Sequence, residues 1–139
     1  MNLRFLFIVL ISFSLAFALM GCQLKKEMPM IETYDINAIS ISESTSFGKF
    51  NNDFFKTISD RDRLDTLKNA LVTAEKETAK LEDVNYDLLV NYGEDGDQLL
   101  KLYLGEEGEQ SAFFYLGYED RVYFMSKEKT RELREILNP

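Results

Sequence analysis

Histidine and tryptophan are absent from the chain, cysteine occurs once and proline twice. Without an imidazole there is no Ser-His-Asp or Cys-His nucleophile system and no His-containing zinc site. A single thiol excludes Cys clusters and internal disulfides. Basic charge is also short, with 16 Lys and Arg against 24 Asp and Glu and a net charge of −8. A chain this acidic repels phosphate backbones, so no nucleic-acid partner is expected. Its 139 residues suit one domain of ordinary size. These absences lead to the expectation that the chain is not an enzyme and carries no cofactor.

The strongest positive signal is at the amino terminus. Arg4 precedes an apolar run over residues 5–18, broken only by Ser12 and Ser14 and followed by Leu19, Met20, Gly21 and Cys22. This pattern is that of a secretory leader over 1–21 ending in a lipobox, and it resembles the bacterial lipoprotein signal. In such signals a diacylglyceryl group is attached to the Cys sulfur and cleavage occurs just before that residue. The competing reading is an uncleaved membrane helix over 5–21, at the short edge of the roughly 17 to 25 residues needed to span a bilayer. Each buried acyl methylene contributes about 0.8 kcal/mol, so a pair of chains on Cys22 anchors stably. Residues 22–33 contain Lys25, Lys26 and Pro29 without a clean period and are expected to be a tether. The location expected is the extracytoplasmic face of a cell membrane, with the membrane itself as a partner through the anchor on Cys22.

Residues 34–139 should form the domain. A first strand is expected over 35–42 and a short second one over 54–58. Ser59 or Asp60 then caps a helix with an apolar stripe at Leu64, Leu67, Leu71 and Ala74, expected to run to about Glu77. Four strands follow, over 86–92, 98–104, 112–118 and 122–126, separated by short turns rich in Gly and acid. Ser126 caps a last helix whose Leu133, Ile136 and Leu137 share a face. The fold class expected is α+β: a single antiparallel sheet in the element order β-β-α-β-β-β-β-α, with two helices packed on one face.

Three constellations bear on function. Glu94, Asp95, Asp97, Glu119 and Asp120 lie in the first and third turns of the meander, at one end of the sheet, where convergence would suit a hard cation such as Ca²⁺. Solvated turn tips are the ordinary reading of the same residues. A Ser-x-x-Lys pattern at 46–49 is matched equally by 126–129, and the other motifs of the serine β-lactamase group are absent, so both matches are assigned to chance. Tyr103, Tyr115 and Tyr123 fall among alternate positions that are apolar where a solvated face would be polar. Either the segment 47–55 folds over that face, or the tyrosines present a platform for an envelope protein or peptide.

The residues Tyr34-Asp35-Ile36, Ile39-Ser40-Ile41-Ser42, Phe47-Gly48, Asn52-Asp53-Phe54-Phe55, Tyr86-Asp87-Leu88, Leu104-Gly105-Glu106-Glu107-Gly108, Thr130, Leu133 and Leu137 form a pattern. It resembles that of the YhfM-like lipoproteins of Bacillus and relatives, over nearly the whole of 34–137. The resemblance implies a small surface lipoprotein of a Gram-positive host and carries over one functional residue, the lipidated Cys22. The function expected is a membrane-anchored, non-catalytic binding or interaction module. The alternative is a Ca²⁺-responsive lipoprotein using the acidic turns.

Overall fold

The computed structural model describes residues 30–137. The elements are α1 (Met30–Thr33), β1 (Ala38–Glu43), β2 (Lys56–Ile58), α2 (Arg61–Val72), β3 (Glu75–Thr78), β4 (Tyr86–Asn91), β5 (Asp97–Tyr103), β6 (Ala112–Tyr115), β7 (Arg121–Phe124) and α3 (Lys127–Leu137). All strands join one antiparallel sheet in the order β2-β1-β4-β5-β6-β7-β3. The expected α+β class, single sheet and consecutive β4 to β7 meander are what the chain forms. The leader and Cys22 lie outside the described residues. Residues 30–33, expected as tether, are instead the helix α1, because Ile31 is buried in the core.

Helix α2 starts where Asp60 accepts a hydrogen bond from the Arg63 N–H at 3.4 Å. Its stripe of Leu64, Leu67 and Leu71 is buried as expected. The helix stops earlier than the stripe suggested. The Thr73 hydroxyl and N–H both donate to the Asn69 carbonyl, at 2.7 and 3.1 Å, and close the last turn. The chain then turns into β3, an additional strand where the helix was expected to continue to about Glu77. Its residues Glu75, Lys76, Glu77 and Thr78 are all exposed, so no apolar alternation marks it. Their charges blunt an open sheet edge against pairing with other chains. Ser126 caps helix α3, its hydroxyl accepting from the Lys129 N–H at 3.2 Å.

Both long helices cover the same face of the sheet. Leu64, Leu67, Leu71, Leu133 and Leu137 form one cluster with Ile39, Ile41, Leu88, Val90, Leu100, Leu102 and Phe113. Lys56 ties the short edge strand β2 to this layer by donating to the Ile136 carbonyl at 2.7 Å, at the end of α3. The opposite, outer face is crossed by two segments instead of helices. Residues 44–54 pass over β4 and β5, and residues 79–85 return toward β5, where the Asn85 side chain accepts from the Leu104 N–H at 2.6 Å. Among the described residues no helix is long and apolar enough to cross a membrane.

Candidate functional site

Asp87 in β4 and Lys101 in the interior of β5 are charged residues among apolar neighbours, and the register sets them directly opposite each other. Both side chains are fully buried, with the Lys101 ammonium 2.7 Å from Asp87 Oδ1. Desolvating two charges is costly unless every donor and acceptor is used. Here they are. Lys101 Nζ also donates to Ser44 Oγ at 3.1 Å and to the carbonyls of Ser46, at 2.6 Å, and Lys49. Asp87 Oδ2 accepts from the Asn51 N–H at 2.8 Å, and the Asn51 carbonyl accepts from the Ser42 hydroxyl. The ion pair therefore grips residues 44–51 at several backbone points and makes them a fixed strap.

One side chain of that strap, Phe47, lies between the two carbonyls that Lys101 holds. Its ring stacks on Phe114 with centroids 6.2 Å apart and planes 3° from parallel. Phe114 is the cross-strand neighbour of Lys101. Together with Leu81 from the second crossing segment, the two rings line a half-open slot of about 270 Å³ on the outer face, flanked by Lys80 and Glu119. An apolar concavity with a few polar groups at its mouth is the usual form of a small-molecule site. Here an ammonium and a carboxylate border a half-open, largely apolar cleft.

A second, more open hollow of about 580 Å³ lies between α2 and α3. It is lined by Asp62, Arg63, Asp65, Thr66, Asn69, Lys129, Glu132, Glu135 and Ile136. Most of its lining is charged, and Lys129 is already paired with Glu132 at 2.9 Å. Such a surface offers little to an apolar ligand.

The residues picked out by sequence are arranged differently from expectation. Leu100 pairs with Tyr115 and Phe113 with Tyr123, which puts both tyrosines on the helix-covered face. They pack there in a ring cluster, with Phe113 and Tyr123 centroids 5.0 Å apart and Tyr115 and Tyr123 5.5 Å apart. Burial raises the Tyr115 phenol above its ordinary range, as it does that of Tyr92. Tyr103 lies on the other face. Its hydroxyl is 3.2 Å from the Glu109 carboxylate, whose charge pushes the phenol pKa up. The three tyrosines form no common platform, and the strap covers part of the outer face.

Glu94 and Asp95 sit in a tight turn between β4 and β5, beside Asp97, which accepts from the Asn91 amide at 2.6 Å. Glu119 and Asp120 lie in the turn between β6 and β7, two strand spacings away, which is about 10 Å. Among the described residues no three carboxylates come together to hold a metal ion. The Ser46 to Lys49 pattern is a tight turn closed by a β-bridge, and its carbonyls hold Lys101. The polar residues that organise the outer face, Asp87 and Lys101, were not singled out by sequence. Their signal is a lone acid and a lone base within apolar strands.

The family model for the YhfM protein matches residues 32–139. The chain belongs to the YhfM family. No curated protein matches it. Among solved structures it is similar to a thioesterase-like protein from Clostridium sporogenes, at 27% identity over 75% of this chain and 96% of that one, with a TM-score of 0.59. With β2 set aside, the order β1-β4-β5-β6-β7-β3 packed on α2 is a hotdog-type arrangement. This likeness overturns the expectation that the YhfM-family chain is a non-catalytic binding module, or a Ca²⁺-responsive one, and the expectation that it is not an enzyme. The physical flaw in that expectation is specific. The lack of His excludes imidazole chemistry and no Cys occurs among the described residues, but a carboxylate remains able to activate water.

Proposed function

We propose that this YhfM-family domain hydrolyses acyl thioesters, with the outer-face slot as the seat of the acyl group. The observation that carries the reading is the apolar slot of Phe47, Leu81 and Phe114, bordered by Glu119 and Lys80, on a chain similar to a thioesterase-like protein. Glu119 takes a proton from water as its oxygen bonds to the acyl carbonyl carbon. Lys80 faces the negative charge that develops on the carbonyl oxygen. As the carbon–sulfur bond breaks, the proton held by Glu119 passes to the departing sulfur, leaving a carboxylic acid and a thiol.

We also propose that the domain lies outside the cell on a diacylglyceryl anchor at Cys22, a reading supported by the leader pattern of residues 1–21. Its substrates are then acyl groups met at the membrane surface.

The test is release of free thiol from neutral acyl thioesters, followed with a thiol-reactive dye. Turnover by the wild-type protein is expected, reduced about 10²-fold or more in Glu119→Gln with an unchanged melting temperature. A wild-type protein that releases no thiol above the uncatalysed rate removes the reading. Turnover that Glu119→Gln leaves intact removes the role of Glu119.

A further inference from the structure

We infer that Phe47 sets the acyl-chain length this domain accepts, and that Lys101 is the positioning residue that holds it there. The inference rests on the acyl-thioester reading and goes on to name the specificity element of that site.

Phe47 belongs to a segment with no secondary structure of its own beyond the Ser46 to Lys49 bridge. Left to itself, such a loop would let an aromatic ring sample many positions. Lys101 removes that freedom by holding the carbonyls of Ser46 and Lys49, one on each side of Phe47. Asp87 fixes Lys101 and, through the Asn51 N–H, the end of the same strap. The lysine is anchored in the middle of the sheet, opposite Phe114, so floor and wall of the slot refer to two directly paired strands, β6 and β5. The parallel stacking of Phe47 on Phe114 is the outcome.

A wall placed by a buried ion pair does not drift to fit its ligand. The half-open space beside it, about 270 Å³, then limits how much chain can be buried against the two rings. A linear acyl group gains about 0.8 kcal/mol for each methylene it buries, about fourfold in affinity, until its end meets the wall. Beyond that length further methylenes remain in water and add nothing. Ligand class and limit follow together: an unbranched acyl chain, carbonyl toward Lys80 and Glu119, methyl end toward Phe47.

The experiment uses the full-length protein solubilised from membranes and a series of acyl N-acetylcysteamine thioesters from acetyl to dodecanoyl. Wild-type kcat/KM is expected to rise about fourfold per methylene and then level or fall at one chain length. Phe47→Ala should move that limit to longer chains while leaving the slope below it unchanged. Lys101→Met should blur the limit by freeing the strap. Should that variant fail to fold, Phe47→Ala and Phe47→Leu still decide the matter. Turnover with the same limit in wild type and both Phe47 variants overturns the inference and leaves the hydrolase reading standing. An absence of turnover with every thioester overturns the hydrolase reading and this one with it. A general loss of stability moves all chain lengths alike, so only a shifted limit assigns the role to Phe47.

Discussion

Replacing Lys101 by Met tests the buried ion pair, because the new side chain keeps much of the volume and removes only the ammonium. In the native protein that ammonium satisfies Asp87 Oδ1, Ser44 Oγ and two strap carbonyls. After the change the Asp87 carboxylate remains fully buried with the Asn51 N–H as its remaining hydrogen-bond donor. Breaking a buried pair from one side costs about 3–5 kcal/mol, most of it the uncompensated charge. Urea unfolding followed by far-ultraviolet circular dichroism reads this directly. With a slope of about 2 kcal/mol per molar urea, the midpoint should fall by about 2 M. Adding Asp87→Leu removes the stranded carboxylate and should recover part of the loss, though not all, because the Ser46 and Lys49 carbonyls and the Asn51 N–H still lack partners. The two changes must be strongly non-additive. A single Lys101→Met cost below about 1 kcal/mol, or additivity within error, would refute the claim that the pair holds the strap.

Other consequences follow from particular side chains. Burial holds the phenols of Tyr92 and Tyr115 protonated above their ordinary range. A group whose pKa is raised on folding contributes stability that is complete below its unfolded value, near 10, and lost as pH rises through the folded value. Stability should therefore fall above about pH 10, and these two of the seven tyrosines should ionise only as the protein unfolds, visible as delayed tyrosinate absorbance. Early, complete titration of all seven in a folded protein would contradict it. The buried Ser111 hydroxyl accepts from the Gly105 N–H at 3.0 Å and from the Thr130 hydroxyl at 2.9 Å, so Ser111→Ala should cost about 1–3 kcal/mol in the same urea assay. At Gly105 an added methyl would stand 2.5 Å from the Gln110 carbonyl oxygen, so Gly105→Ala should lower the melting temperature by forcing the backbone of this turn to move. An unchanged melting temperature would show that the turn is looser than its contacts indicate.

Much of the fold was legible because local chemistry and burial agree. The stripe of Leu64, Leu67 and Leu71 became the buried face of α2, and Ser126 capped α3 as its position implied. Strand β3 was invisible for a physical reason: an exposed edge strand of Glu, Lys, Glu and Thr has no apolar period, so nothing marks it beyond the helix that precedes it. The misplaced tyrosines have a different cause. Strand faces alternate with period two, and a one-residue slip exchanges them. The connection from Tyr103 to Ala112 does not reveal its parity, and only the pairing of Leu100 with Tyr115 shows which side each ring takes. The candidate site was hidden for the same reason on a larger scale. Asp87 and Lys101 are visible as isolated charges in apolar strands, yet their partnership is a matter of register. The slot is assembled from positions 47, 80, 81, 114 and 119, which meet only through two segments crossing the outer face.

The most direct measurement is where an acyl thioester binds. Amide and methyl chemical shifts can be followed by nuclear magnetic resonance while a non-hydrolysable thioether analogue of a medium-chain acyl thioester is added. Shifts are expected to concentrate at Phe47, Leu81, Phe114 and Glu119, with the α2 and α3 residues Thr66, Asn69 and Glu132 unmoved. Shifts centred on those helix residues, or none at saturating ligand, would contradict the assignment of the outer-face slot as the acyl site.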